Sequence, residues 1–105
     1  MPRSNGDDAP ASYLADGQWP DGRLRDDAPV SALYAQAFAR RLRDVIDELG
    51  LNPFAVERIT GVNRRTIERT LKGQVLPDFG AVARLEAELE VDLWPRRERG
   101  KAAGE

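Results

Sequence analysis

No cysteine and no histidine occur among the 105 residues. The first absence removes disulfides and thiolate chemistry, and with them any demand for an oxidising compartment. The second removes nucleophile–histidine catalysis and nearly all zinc sites. No acidic spacing matches a known metal loop. No catalytic residue, metal, cofactor or small-molecule substrate is therefore expected, and the chain does not read as an enzyme. Long apolar runs are missing too. No basic start leads into a signal-type stretch, and no segment is long enough to cross a bilayer. A cytoplasmic protein with no membrane association is the expectation.

What remains is 41% hydrophobic and 32% charged, enough for one small domain with or without tails. A net charge of −2 argues against indiscriminate binding to polyanions. The charge is unevenly placed, however. Residues 1–29 and 74–95 are acidic on balance, whereas residues 30–73 and the run from Arg96 to Lys101 are basic.

Residues 1–29 are dominated by Gly, Pro, Asp and Ser and hold no apolar period, which predicts a disordered acidic arm. Tyr13, Leu14, Trp19 and Leu24 keep a second reading open, a short segment packed on the domain or on a protein partner. Residues 30–95 form the domain. Tyr34, Phe38, Leu42, Val45, Ile46 and Leu49 make one helical stripe, with Ser31 as cap and Gly50 as stop. Arg40–Asp44 and Arg43–Asp47 are spaced to pair on its outer side. Asn52 caps a short second helix with Pro53 at its first position, and Phe54, Val56 and Ile59 supply apolar contacts. Gly61 ends it, and Val62 sits inside the turn. Asn63 caps a third helix through Lys72, stopped by Gly73. Asp78 caps a fourth, with Phe79, Val82, Leu85 and Leu89 as its apolar positions and Glu86, Glu88 and Glu90 on its solvated face. Val91, Leu93 and Trp94 suggest a fifth turn closed by Pro95, with Trp94 as a lid over the fourth helix. Residues 96–105 read as a basic flexible tail.

The stretch "TGVNRRTIERTLKG", residues 60–73, carries the functional expectation. Arg64 and Arg65 fall at a helix amino end, where the backbone dipole disfavours cations. At about 100° per residue, Ile67 and Leu71 share the core side, while Arg65, Glu68, Arg69 and Lys72 lie opposite and Arg64 at the border. Residues 53–72 thus have a helix-turn-helix layout whose second helix leaves an outer face free. The major groove of B-DNA, about 12 Å wide, admits such a helix, and arginine reads guanine through O6 and N7. A helix amino end aimed at polyanion explains the arginines better than a merely solvated face does. Glu68 either accepts from a cytosine amino group or orients Arg64 or Arg65.

The segment "GLNPFAVERITGVNRRTIERTLKGQVLPDFGAVARLEAELEVDLWP" resembles the Cro/CI-type helix-turn-helix domain of the XRE family. Leu51-Asn52, Gly61-Val62-Asn63, Thr66-Ile67, Arg69, Leu71, Gly73, Pro77 and Leu85…Leu89…Val91…Leu93 carry the resemblance over residues 33–95. The ending "LWP" is similar to that of actinobacterial members. The resemblance implies an all-α, lambda-repressor-like bundle of about five helices that binds double-stranded operator DNA, commonly as a homodimer. It implies base reading by Arg64, Arg65 and Arg69, and phosphate contacts from Asn52, Asn63, Thr66, Lys72 and Gln74. Leu93 and Trp94 are the candidate dimer contacts. Glu57 stands where the family has a small residue, and must tilt outward or pair with Arg58 or Arg69. Thr60 and Thr70 stand where aliphatic residues are common, and Pro53 replaces a polar residue. The expectation is a sequence-specific transcriptional regulator, a repressor or autoregulator, nucleoid-associated when bound. The alternative is a protein-interaction module on the same scaffold, without DNA readout.

Overall fold

Helix starts fall where the polar caps stand. The computed structural model describes residues 6–95. It contains α1 (Val30–Glu48), α2 (Pro53–Thr60), α3 (Arg64–Leu71) and α4 (Phe79–Leu89), preceded by a small hairpin of β1 (Leu14–Asp16) and β2 (Arg23–Leu24). The side-chain oxygens of Asn52, Asn63 and Asp78 accept from the amides of Ala55, Arg65 and Ala81 at 2.9, 2.7 and 2.7 Å. Each satisfies one amide that the first helical turn leaves without a partner. The start of α1 differs from expectation. Pro29, not Ser31, is its N-cap, and the Ser31 hydroxyl donates instead to the Asp7 carboxylate at 2.6 Å.

The core is built from the inward stripe of each helix. Phe38, Leu42, Val45 and Ile46 of α1 meet Val56 of α2, Ile67 of α3 and Val82, Leu85 and Leu89 of α4. α2 packs against both α3 and α4, and α1 crosses α3. Among the described residues no helix is long and apolar enough to cross a membrane.

Over its described part, residues 6–29, the amino-terminal segment is not a disordered arm. It makes a 3-10 turn at Pro10–Tyr13 and then the hairpin, with Leu14 opposite Leu24 and Asp16 opposite Arg23. This strap lies across α1 and reaches the end of α3. The Gln36 side chain donates to the Gly22 carbonyl at 2.7 Å, and Arg40 Nε to the Pro20 carbonyl at 3.0 Å. The Ala11 amide donates to the Gly73 carbonyl at 2.8 Å. The prolines and glycines that suggested disorder are turn residues whose burial comes from α1: Pro10 and Pro20 are both buried. Of the two readings of this segment, packing on the domain is the one observed. Residues 1–5 and the basic tail expected at 96–105 lie outside the described residues.

The strap also redirects the arginines of α1. Arg43 pairs with Asp21 of the strap at 2.8 Å and with Asp44 at 3.2 Å, not with Asp47. Arg40 turns to the Pro20 carbonyl instead of Asp44. Both expected pairs within the helix are therefore replaced by contacts to a segment that periodicity alone could not place.

Four helices are present among the described residues, not five. α4 ends at Glu90, which takes a left-handed conformation with φ of 57°. The next turn does not form because its amides have another acceptor. Glu86 Oε2 accepts from the backbone amides of Leu93 and Trp94 at 2.8 and 2.7 Å. Glu86 is thus a clamp on the chain end, not a member of the solvated face. Replacing it with alanine strands both amides, one of them on a core residue. Glu86→Ala should cost about 1–3 kcal/mol, read as a lower urea midpoint with an unchanged slope.

Candidate nucleic-acid interface

The turn between α2 and α3 is what sets the candidate surface. Gly61 adopts φ of +78°, which a glycine reaches without strain. Val62 then points into the core and is buried. Thr60 is buried beside it. Its hydroxyl donates to the Val56 carbonyl at 2.7 Å and accepts from the Val62 amide at 3.1 Å. An aliphatic residue there would leave that amide unpaired, so the threonine has a structural reason.

α3 is anchored by buried Ile67 and Thr70, and its other side is open. Arg65, Arg69 and Lys72 are exposed. Among the described residues, no carboxylate lies within ion-pair distance of these three. Three of the strap's acids are engaged elsewhere: Asp16 with Arg23, Asp21 with Arg43, and Asp27 with Arg25, the last pairing holding the Asp27 carboxyl below its ordinary value. The strap touches the carboxy end of α3 at Gly73, but Arg65 and Arg69 upstream remain exposed.

Arg64 is held differently. Its guanidinium carbon lies 4.2 Å from the centroid of the Phe54 ring, and its Nε lies 3.9 Å from Glu68 Oε2. Of the two partners proposed for Glu68, Arg64 is the one it approaches. The ion pair is half exposed, too long for a hydrogen bond, and contributes little stability, so the ring beneath the guanidinium is its main packing contact. Glu57 is half-buried and, among the described residues, pairs with neither Arg58 nor Arg69.

Of the expected phosphate contacts, Asn52 and Asn63 are exposed and use Oδ1 as caps. Their side-chain amide groups remain as donors. Lys72 and Gln74 are exposed, and Thr66 is half-buried. Asn63, Thr66, Lys72 and the three arginines therefore lie on or beside α3. The Phe54–Arg64 stack joins the start of α2, where Asn52 sits, to the start of α3.

Phe54 is the misplaced residue that bears on the site, though Leu49, Ile59 and Phe79, also read as apolar positions of their helices, are exposed as well. Read as a core contact, Phe54 is 58% exposed under Arg64. The signal was available: Phe54 lies about 200° around the helix from buried Val56. Leu93 also moves. Expected as a dimer contact, it is 1% exposed and belongs to the core. Its neighbour Trp94 is 55% exposed and packs on Tyr34 of α1, with ring centroids 5.6 Å apart, instead of covering α4. The two rings border an apolar groove of about 200 Å³ shared with Phe38, Leu76 and Pro77.

No protein-family model, curated protein or solved structure matches this chain.

Proposed function

We propose that this protein is a sequence-specific DNA-binding transcriptional regulator, a repressor or autoregulator of XRE helix-turn-helix type, that presents residues 63–72 to the major groove. One observation carries the reading: Arg65, Arg69 and Lys72 share an exposed helix face with no acidic partner among the described residues. An arginine-lined helix propped outward by a second helix has the shape and charge to enter the groove. Arg64, Arg65 and Arg69 read bases. Asn52, Asn63, Thr66, Lys72 and Gln74 set the register through phosphates. One such domain buries only about 600–1,000 Å² on DNA, so two copies on half-sites about 34–36 Å apart complete the complex. Trp94 is the surface residue available for their contact.

Selection of bound sequences from a random duplex pool tests this directly. A recurring motif should emerge, and affinity for it should fall by about 0.9 log units per log unit of salt for each phosphate neutralised. A pool that yields no motif, together with salt-independent retention on duplex DNA, rejects the reading. The groove beside Trp94 then favours the second one, a module that takes an apolar side chain from a protein partner.

A further inference from the structure

We infer that the Phe54–Arg64 pair reads a two-base-pair step, a guanine with a thymine in the adjoining pair. The inference rests on the DNA-binding reading above and adds to it a residue with no role there. Arg64 approaches Glu68 through Nε, the inner nitrogen of the guanidinium. At that distance Nε makes no hydrogen bond, so among the described residues the guanidinium is uncommitted, and its outer nitrogens, Nη1 and Nη2, form the fork that meets O6 and N7 of guanine. A guanidinium paired in this way lies in the plane of the base it reads. The guanidinium carbon lies over the Phe54 ring, 4.2 Å from its centroid, a separation comparable with the spacing of about 3.4 Å between successive base pairs. A ring stacked one layer away stands at the level of the adjoining pair. It is 58% exposed, so it has apolar surface to present there. The one apolar group that a base pair offers on its major-groove edge is the 5-methyl of thymine. The ring therefore does two things: it holds the arginine in register, and it favours a methyl group beside the guanine.

The test uses the full chain and the site recovered by duplex selection. Each thymine next to a guanine is replaced in turn by deoxyuridine, which removes only the methyl group. At one position, affinity of the unaltered protein should fall about fourfold, the worth of one buried methyl. Phe54→Ala should bind the thymine site more weakly by a similar factor and no longer distinguish it from the uracil site. 7-Deazaguanine at the neighbouring guanine should weaken the unaltered protein and leave Arg64→Ala unaffected. The inference is overturned if the selected site has no thymine beside a guanine, if the unaltered protein is indifferent to every methyl, or if Phe54→Ala keeps the preference. Because the nucleotide replacements need no protein variant, folding cannot obscure the result. Failure to bind any duplex removes the regulatory reading itself, whereas binding that ignores the methyl removes only the role of Phe54.

Discussion

Gly73→Ala should destabilise the protein by about 2–4 kcal/mol, a large share of what a domain this size has. Two separate causes act at the same atom. Gly73 has φ of +72°, a conformation that costs an L-residue about 1–2 kcal/mol. It also lies under the strap, where a Cβ would stand 2.6 Å from the Trp19 indole and 2.9 Å from the Ala11 Cβ. Trp19 belongs to the hairpin's own turn and is partly buried, and the Ala11 amide ties the strap to the Gly73 carbonyl, so the ring cannot move without moving the strap. Overpacking of this kind costs about 1–3 kcal/mol. A double-mutant cycle separates the causes. With Trp19→Ala already present, the steric part is relieved and Gly73→Ala should cost only the backbone part. Urea unfolding of the four proteins measures the difference, which should be about 1–3 kcal/mol. Additive effects would show that the strap does not rest on the end of α3.

That contact has a functional meaning as well. The carboxy end of α3 is closed by amides of Gly73 and Gln74 donating to the carbonyls of Thr70 and Arg69 at 3.1 and 2.9 Å. The strap then covers this closure. α3 is thus fixed at its start by Asn63 and the Phe54–Arg64 stack and at its end by Trp19 over Gly73. A helix held at both ends keeps its outer face in one orientation, which lowers the ordering cost of binding a rigid groove.

Much of the helical part was legible because its signals are local. Asn52, Asn63 and Asp78 stand at their caps, Gly50, Gly61 and Gly73 close helices, and most of the apolar residues at three and four form the core, the exposed Leu49 and Phe79 at helix ends excepted. These features need no knowledge of the rest of the chain. The strap was illegible for the opposite reason. Its strands are too short for an alternating pattern, and its order comes from Gln36, which a local reading left unassigned, and from Arg40 and Arg43, which it paired within α1. The missing fifth helix has a similar origin. Glu86 stands one turn before the end of α4 and looks solvent-facing in the sequence, yet its carboxylate takes the amides of Leu93 and Trp94. At the candidate site, the identity of the exposed cations was readable from helical geometry. The pair of Arg64 with Glu68 was readable too, being four apart on α3, but the ring under Arg64 was not, because Phe54 reaches it from α2.

The double substitution Arg65→Ala and Arg69→Ala should lower affinity for the selected duplex by about 100- to 10,000-fold and leave the fold intact. Both side chains are exposed and, among the described residues, neither takes part in an ion pair, so their loss removes nothing from the core. In the proposed complex each would make a bidentate contact with a guanine, worth about 1–3 kcal/mol, or roughly one to two factors of ten. The two arginines are four residues apart on one face and read different base pairs, so their effects should nearly add. If they read bases, each single variant should lose selectivity at its own position in the site. If instead they grip phosphates, affinity should fall evenly across all sequences, with a salt slope smaller by about one per arginine. Binding titrations of the single and double variants across a salt series, with circular dichroism to confirm folding, distinguish these outcomes. Undiminished affinity and unchanged base preference in the double variant would remove α3 from the interface and leave the groove beside Trp94 as the surface to explain.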